Sequence, residues 1–478
     1  MGKEIASLAP QALWQHFYEF TQISHPSKKE EKISAFVAEF GKKLGLHTDV
    51  DKMGNVLIRK PATPGMETRK SVVLQGHIDM VMVPQSHTGA IDTVIDGDWV
   101  CTQGTTLGAD NGIGSAAAMA ILESKDIAHP AIDALFTVDE ETGMSGARAL
   151  APNWVQGDIL INLDTEDDEE LCIGCAGGLD AAFADTYQEV PVQQGTTYQL
   201  TVSGLKGGHS GIEIALGRAN AIKVIARVLR QLTEQQKVQL VWLKAGELRN
   251  VIPSKAVATF VCSQPEADIK KTLAQLQTTI ATEYALVEDG LNIDLQPVAA
   301  ASKALDIATQ RRYVNALLAC PNDVIRMSNA IPGLVETSSN LAIASIGDGK
   351  FAASALMRSS VISAKEYLAQ TMAAAFDLAG IQSTFTGGYP GWNPNINSPI
   401  LKVMTELYKK MFAAEPHVQA IHAGLECGLL GGIYPNWDMI SFGPTILNAH
   451  SVKERVQISS VEKWWKYLLE VLKNIPTK

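Results

Sequence analysis

The sequence lacks the features that would mark a membrane protein, a nucleic-acid-binding protein or a disulfide-stabilised scaffold. No run of about eighteen apolar residues occurs, and the first residues contain no apolar stretch of the kind found in secretory leaders. The six cysteines are scattered over 478 residues and do not form a disulfide framework. A formal net charge of −11 disfavours nucleic acid and anionic membranes as partners. These absences predict a cytoplasmic protein that binds neither nucleic acid nor membrane.

What the sequence does contain is an apolar stretch that ends in three consecutive acids. Residues 134–138 predict a buried strand, and Asp139, Glu140 and Glu141 follow it directly. Adjacent carboxylates repel one another, so a divalent cation between them is the simplest way to hold them together. Neighbouring glutamates also point in different directions, so one can bind metal while the other transfers protons. Taken alone, such a stretch is more often a solvated acidic turn.

A metal site is favoured because polar residues recur at the ends of other predicted strands. The apolar strand 71–75 runs into His77 and Asp79, and the strand 158–163 ends at Asp164. Since the carboxyl ends of parallel strands lie along one edge of a sheet, these side chains can converge. Histidine and carboxylate ligands suit zinc or a similar divalent ion. Asp79 can also accept a hydrogen bond from the imidazole of His77 and orient the ring.

The order of elements predicts a divided α/β chain. Strands that alternate with helices indicate a three-layer catalytic domain with a mostly parallel sheet, formed by residues 1–188 and 394–478. Residues 189–393 show the order β-α-β-β-α-β, which is typical of a ferredoxin-like antiparallel sheet backed by helices. We therefore expect an inserted α+β domain within a split α/β domain. Ser27 and Glu30 have the spacing of a capping box and predict the start of a helix.

Five motifs, in this order along nearly the whole chain, resemble the di-zinc aminoacylase/carnosinase metallopeptidase family. They are Gly76-His77-Ile78-Asp79, Gly108-Ala109-Asp110-Asn111-Gly112, Asp139-Glu140-Glu141-Thr142-Gly143, Leu163-Asp164 and Asn448-Ala449-His450. More narrowly, the stretches 162–166 and 422–428 resemble the bacterial aminoacyl-histidine dipeptidase branch of that family. The resemblance implies metal-dependent hydrolysis of dipeptides, with histidine expected as the C-terminal residue of the substrate.

The resemblance also implies two Zn²⁺ ions per chain, with Co²⁺ or Mn²⁺ as substitutes. Asp110 would bridge the two ions. His77 and Asp164 would complete one site, and Glu141 and His450 would complete the other. Three carboxylates contribute −3 and two divalent ions +4, and a bridging hydroxide would neutralise the remaining +1.

Two further residues of these motifs are implied to be catalytic. Glu140 would take the proton of the hydroxide-forming water and deliver it to the leaving amine. Asp79 would hold His77 in orientation. In this family the peptide bond between Asp110 and Asn111 is typically cis, so we expect it to be cis here.

The inserted domain resembles the lid of the same family. His209 matches a histidine that polarises the scissile carbonyl, and Asn250 and Arg358 match contacts to the substrate's carboxylate. Read by themselves, His209 could equally be a satisfied loop histidine, and Arg358 an ordinary surface ion pair. His422 and Glu426 are left open between groups of a substrate pocket and structural residues.

Several other functions are alternatives to a zinc dipeptidase. The same metals could serve a deacylase of N-acyl amino acids or a tripeptide aminopeptidase. Residues 108–114 could form a glycine loop for phosphate, but Asp110 would place a carboxylate there, and no G-x-G-x-x-G is present. A non-catalytic binding module would be expected to have lost a ligand or Glu140. A homodimer also stays open. Lids of the family that the chain resembles often dimerise, whereas an enlarged lid can replace the partner's contribution within one chain.

Overall fold

The computed structural model describes residues 2–478, which divide into two compact units. Unit 1 extends to Gly174 and resumes at Trp392–Ala420 and Leu425–Lys478. Unit 2 comprises Cys175–Gly391 and the short segment Ile421–Gly424. The chain thus leaves unit 1 and returns to it. The exact limits of the inserted domain stay a prediction.

Unit 1 is built on an eight-stranded mixed sheet. Its central strands run parallel in the order Ile132–Thr137, Val72–His77, Ile159–Asn162 and Asp438–Ser441. Its outer strands are His47–Val50 and Val56–Lys60 on one side, and Glu170–Cys175 and His417–Ile421 on the other. Every residue of the two first-named strands is buried, as expected for parallel strands covered on both faces. The α/β fold class is confirmed, with parallel pairing confined to the centre because antiparallel partners join at both flanks.

Helices flank this sheet and a smaller four-stranded sheet completes unit 1. The helices are Gln11–Thr21, Glu31–Lys43, Ala109–Glu123, Glu140–Gly143, Ser145–Arg148, Pro399–Phe412, Glu426–Ile433 and Ile458–Lys473, with a 3₁₀ turn at Lys3–Ser7. The small sheet contains Thr93–Asp96, Trp99–Thr102, Arg455–Gln457 and Ile446–Leu447. Residues 109–122 are all buried, and their many alanines and glycines let this helix pack closely against the strand Val72–His77. The Asp110–Asn111 peptide bond at its start is cis, as the family resemblance implies.

The predicted capping box at Ser27 and Glu30 is wrong. The helix begins only at Glu31, and Glu30 makes no side-chain capping hydrogen bond. The Ser27 hydroxyl instead donates to Asp79 Oδ2 at 2.8 Å, and Glu30 Oε1 accepts the Asp139 N–H at 3.1 Å. Tertiary contacts with the loops that follow two sheet strands have therefore replaced the local cap.

Unit 2 contains a nine-stranded antiparallel sheet with helices packed on it. The sheet runs in the order Asn292–Pro297, Thr196–Ser203, Ala256–Cys262, Gln239–Ala245, Val335–Gly347, Lys350–Ser359, Gly177–Thr186 and Gln382–Tyr389, and Asp323–Met327 pairs with Val335–Gly347. The helices are Ala221–Gln235, Glu266–Glu283, Ile307–Ala319 and Ile362–Asp377, with a 3₁₀ turn at Ile214–Leu216. Two short strand pairs are Val190–Pro191 with Lys303–Ala304 and Gly208–His209 with Val251–Ile252. The first four strands of the sheet, with two of these helices, are the predicted ferredoxin-like part.

Two helices in unit 2 begin at a side-chain cap. The Asn220 side chain accepts the Ile222 N–H and caps the helix Ala221–Gln235, whose apolar face is buried in the core. Asp306 likewise accepts two N–H groups at the start of the helix Ile307–Ala319. Among residues 2–478, no helix has both the length and the apolar character needed to span a membrane.

Candidate functional site

The ends of three parallel strands bring the predicted ligands of unit 1 together. His77 is the last residue of its strand, Asp164 lies two residues beyond the strand Ile159–Asn162, and Glu141 follows the strand Ile132–Thr137. His77 is in register with Thr137, so neighbouring strands end at the same height. This edge, beyond the carboxyl ends of the strands, is where open α/β sheets hold their ligands.

Asp110 lies between two histidines that come from distant parts of the chain. Its Oδ1 is 3.1 Å from His77 Nε2, and its Oδ2 is 3.0 Å from His450 Nε2. Asp164 Oδ1 lies 3.4 Å from His77 Nε2, and Glu141 Oε1 lies 2.8 Å from His450 Nε2. The structure thus forms two three-residue groups that share Asp110, with ligand atoms within 4.8 Å of one another in each group. Their composition is the one that the family resemblance implies.

The donor set fits two divalent cations. Among residues 2–478, Glu141 Oε1 and Asp164 Oδ1 are buried without a hydrogen-bond partner, although each lies beside a histidine nitrogen. A buried carboxylate oxygen without a partner is costly, and an ion shared with the neighbouring histidine would satisfy it. Burial, reinforced by the charges of Asp110 and Glu141, raises the pKa of Asp164 to about 7. Buried carboxylates crowded together in this way are expected of a cation site.

The two groups differ in their exposure to solvent. The side chain of His77 is 1% exposed, whereas that of His450 is 50% exposed. Asp110, which both groups share, is 11% exposed at its side chain. One candidate metal position is therefore enclosed within the sheet edge, and the other opens to solvent, where a substrate can approach.

Glu140 lies next to these groups without belonging to the pair that shares Asp110. Burial, together with the charges of Asp164, Glu426 and Glu141, raises the pKa of Glu140 well above its usual value. A carboxyl group with a raised pKa in a cleft is suited to accept and return a proton near neutral pH. The two groups that share Asp110 do not include Glu140, although Glu140 also lies with His77 and Glu141 in a further group of potential ligands.

Asp79 contacts the ring of His77 through its main chain as well as its side chain. His77 Nδ1 forms a hydrogen bond with the main-chain oxygen of Asp79 at 3.0 Å, and the nearest carboxylate oxygen is 3.4 Å away. The carboxylate also accepts the N–H groups of Glu140 and Glu141, at 3.0 and 3.2 Å. Asp79 thus fixes the ring of His77 through its backbone and the two glutamates through its side chain.

A row of buried polar side chains, not anticipated from the sequence, crosses the parallel strands below the ligands. Gln75 Nε2 and Thr137 Oγ1 each donate to Glu426 Oε2 at 2.6 Å, and Asn162 Nδ2 donates to Gln75 Oε1 at 2.6 Å. Ser441 extends this polar row through a hydrogen bond to Asn162. Gln75 and Asn162 lie two residues before His77 and Asp164, so the row holds the strand ends level. Polar residues within otherwise apolar strands were the available sequence signal.

Glu426 is a member of this polar row and has a structural role there. Its side chain is fully buried, and burial raises its pKa to about 7. Since it bonds Gln75 and Thr137, it supports the strands that carry the ligands.

Unit 2 places His209, Arg358 and His422 around Gly211. A Cβ atom on Gly211 would lie 3.0 Å from His209 Cε1, 3.2 Å from Arg358 Nε and 2.7 Å from the His422 carbonyl oxygen. Glycine at this position therefore allows all three to approach one point. Arg358 is only 7% exposed, and its Nε has no hydrogen-bond partner in the described part of the chain. A buried guanidinium with a free donor is well suited to an anionic ligand.

The pKa values of both histidines of this cluster are lowered, which favours the neutral form of each ring. Burial and the charge of Arg358 lower the pKa of His422 to about 3 and lower that of His209. His209 Nδ1 accepts the N–H groups of Gly211 and Ile212, both at 3.2 Å. The proton of the neutral ring is therefore on Nε2, which is available as a donor. The side chain of Asn250 is exposed, and the main-chain carbonyl oxygen of Asn250 accepts the Ser210 N–H at 2.9 Å.

Most of the chain is similar to a family of peptide hydrolases. The sequence model of Peptidase family M20/M25/M40 matches residues 73–474, and the chain belongs to this family. The chain is 42% identical to the cytosol non-specific dipeptidase of Escherichia coli K12, over 99% of this chain and 100% of that protein. The predictions of family and enzyme class are confirmed.

Solved structures agree with this assignment. Aminoacylhistidine dipeptidase from Vibrio alginolyticus superposes with a TM-score of 0.93 at 41% identity, covering 99% of this chain and 98% of that chain. Aminopeptidase PepT from Bacillus cereus ATCC 10987 gives a TM-score of 0.57 at 15% identity, covering 98% and 99%. The second structure shares the fold.

Proposed function

We propose that the protein is a two-metal dipeptidase that hydrolyses dipeptides with a free C-terminus, with histidine preferred there. The observation that carries this proposal is Asp110, whose two oxygens face different histidines at 3.1 and 3.0 Å. One carboxylate between two donor groups is the arrangement that a paired-metal hydrolase requires. Zinc suits histidine and carboxylate donors, and cobalt or manganese are substitutes. The names of the two relatives, one cytosolic, support a dipeptide substrate and a cytoplasmic location.

In unit 1 the chain's own residues divide the work of binding and proton transfer. His77, Asp110 and Asp164 would hold one ion, and Asp110, Glu141 and His450 the other. When bound, the ions supply Lewis acidity that lowers the pKa of the attacking water and polarises the carbonyl.

Glu140 takes the proton of the attacking water and gives it to the leaving amine. Asp79 holds Glu140 and Glu141 through their N–H groups and holds His77 through its own carbonyl oxygen.

In unit 2, which we propose as the lid, polar groups bind the substrate. His209 donates its Nε2–H to the carbonyl oxygen as negative charge develops there. The Arg358 guanidinium pairs with the C-terminal carboxylate, and the exposed amide of Asn250 contributes a further contact. A dipeptide offers little apolar surface, so its charged ends supply much of the specificity.

A substrate panel on zinc-loaded enzyme tests this function. It should contain dipeptides with and without C-terminal histidine, a tripeptide, and N-acetyl amino acids. We expect kcat/KM for dipeptides to exceed that for the other two classes by at least about tenfold. Faster hydrolysis of N-acetyl amino acids or tripeptides would replace the dipeptidase assignment with the corresponding alternative. Equal rates for all C-terminal residues would remove the histidine preference only.

A double cycle of two enzymes and two substrates tests the role of Arg358. Arg358→Ala on a free dipeptide, and wild-type enzyme on the C-terminally amidated dipeptide, should each lose about ten- to hundredfold in kcat/KM. The loss corresponds to a charge-assisted hydrogen bond of roughly 1.5–3 kcal/mol. Both changes together should cost little more than either alone, because each removes the same contact.

Additive losses would mean that Arg358 and the carboxylate act independently. Arg227→Ala is the matched control, because Arg227 is 41% exposed and pairs with Glu283 on the surface of unit 2. We expect this variant to change kcat/KM by less than about threefold on either substrate.

A further inference from the structure

Glu454 is a buried residue whose carboxylate accepts hydrogen bonds from the main chain at and just before Asp110. It is 2% exposed, and it lies four residues beyond His450 in the chain. Its two oxygens accept the N–H groups of four consecutive residues: Leu107 at 2.7 Å, Gly108 at 3.0 Å, Ala109 at 2.8 Å and Asp110 at 3.3 Å. Four donors directed at one carboxylate offset part of the cost of burying its charge.

These four N–H groups lie at the start of a helix, where a nearby side chain usually accepts their hydrogen bonds. The helix Ala109–Glu123 begins after Gly108, which has no side chain to cap it. Its first N–H groups would be left unsatisfied without a distant acceptor. Glu454 supplies that acceptor from 344 to 347 residues away in the chain. The start of the Asp110 segment is therefore fixed to the loop that carries His450.

The loop between His450 and Glu454 is itself tightly bonded. The Ser451 hydroxyl donates to the Asn448 carbonyl oxygen at 2.7 Å, and the Glu454 N–H donates to the Ser451 carbonyl oxygen at 3.0 Å. The side chain of His450 is half-exposed and faces Asp110 and Glu141. We infer that the loop, rather than surrounding packing, holds His450 in this position. His77, by contrast, is the last residue of a buried strand.

We propose that Glu454 is a positioning residue that fixes Asp110 and His450 relative to one another, and so sets the metal affinity of the Asp110–Glu141–His450 group. This inference rests on the two-metal site of the proposed function. It predicts an asymmetry between the two positions. The position completed by His77 and Asp164 is held by strands and depends less on Glu454.

The test is a titration of chelator-stripped protein with Zn²⁺, read by calorimetry, for wild type and Glu454→Gln. Glutamine keeps the length of the side chain, but its NH₂ group would face two N–H donors. We expect one of the two binding events to weaken by about ten- to hundredfold, as is typical when a residue supporting a metal ligand is replaced. The other event should change by less than about threefold. The absorption spectrum of Co²⁺-loaded protein should change in parallel, which provides a readout independent of turnover.

Glu462→Gln is the matched control, since Glu462 is exposed and pairs with Lys466 on the last helix. It should leave both binding events unchanged. Glu454→Asp, which keeps the charge but shortens the reach, should weaken the same event as Glu454→Gln. In a His450→Ala background, Glu454→Gln should lower the remaining affinity by less than about threefold. A further tenfold loss in that background would overturn the proposal, because Glu454 would then act other than through His450.

Unchanged binding of both ions with only a lower Tm would make Glu454 a structural cap and overturn the inference, while the site itself would stand. Wild-type protein that binds fewer than two ions would contradict the two-metal site instead.

Hydrogen exchange on unaltered, metal-free protein gives a test that does not depend on a variant folding. The amides of residues 107–110 should be strongly protected before any metal is added. Exchange as fast as that of an exposed loop would overturn the proposal.

Discussion

Glu140→Gln is expected to bind two metal ions as wild type does and to lose about 10²–10⁴-fold in kcat. The amide cannot accept the proton of the attacking water, and this proton transfer contributes an effect of that size. The ligand groups that share Asp110 do not include Glu140, so both should remain intact. Zinc content after dialysis and kcat at saturating substrate are the two measurements. Together they separate proton transfer from metal binding.

A control is needed because the substitution also removes a negative charge near the ligands. Glu169→Gln makes the same chemical change in the exposed acidic loop that follows Asp164, and we expect it to alter kcat by less than about threefold. Near-full activity of Glu140→Gln at neutral pH would show that another group accepts the proton. Loss of an ion from this variant would instead make Glu140 a ligand.

Asp110→Ala is expected to weaken both metal positions at once and to abolish measurable turnover. Each oxygen of Asp110 faces one of the two donor groups, and the substitution removes one of the three carboxylates that these two groups contain. His450→Ala should chiefly weaken one position, because the His77 group remains complete. Zn²⁺ titration of the two stripped variants measures this difference. We expect losses of at least about a hundredfold at both positions for Asp110→Ala.

The fold of Asp110→Ala should survive, which keeps this comparison interpretable. Glu454 bonds the main-chain N–H of Asp110, and alanine preserves that group. The Tm of metal-free Asp110→Ala should therefore lie close to that of metal-free wild type. Retention of two tightly bound ions by Asp110→Ala would disprove the shared-ligand arrangement.

The candidate site of each unit has its own electrostatic character. In unit 1, burial, reinforced by neighbouring carboxylates, raises the pKa values of Asp164 and Glu426 to about 7. In unit 2, the lowered pKa values of His209 and His422 leave Arg358 as the charged member of its cluster. Under the proposed function, the first environment suits cations and the second suits a carboxylate.

The sequence by itself determined the class of the protein and the candidate ligands. Acids and histidines at the ends of apolar strands converge because parallel strands share one edge, so His77, Glu141 and Asp164 could be grouped without coordinates. The ferredoxin-like order of unit 2 was likewise readable, since strand and helix periods are properties of neighbouring residues. Asp110 and His450 came from motif resemblance.

Only the tertiary structure decided which groups support these ligands. Ser27 and Glu30 carry a local helix signal, yet they bond Asp79 and Asp139 because packing brings those loops within reach. Asp79 orients His77 by its main-chain oxygen, and no residue pattern distinguishes a backbone acceptor from a side-chain acceptor. Glu454 meets its four donors across more than three hundred residues. Hydrogen-bond partners at that separation are chosen by how elements pack, and sequence periodicity describes only the elements themselves.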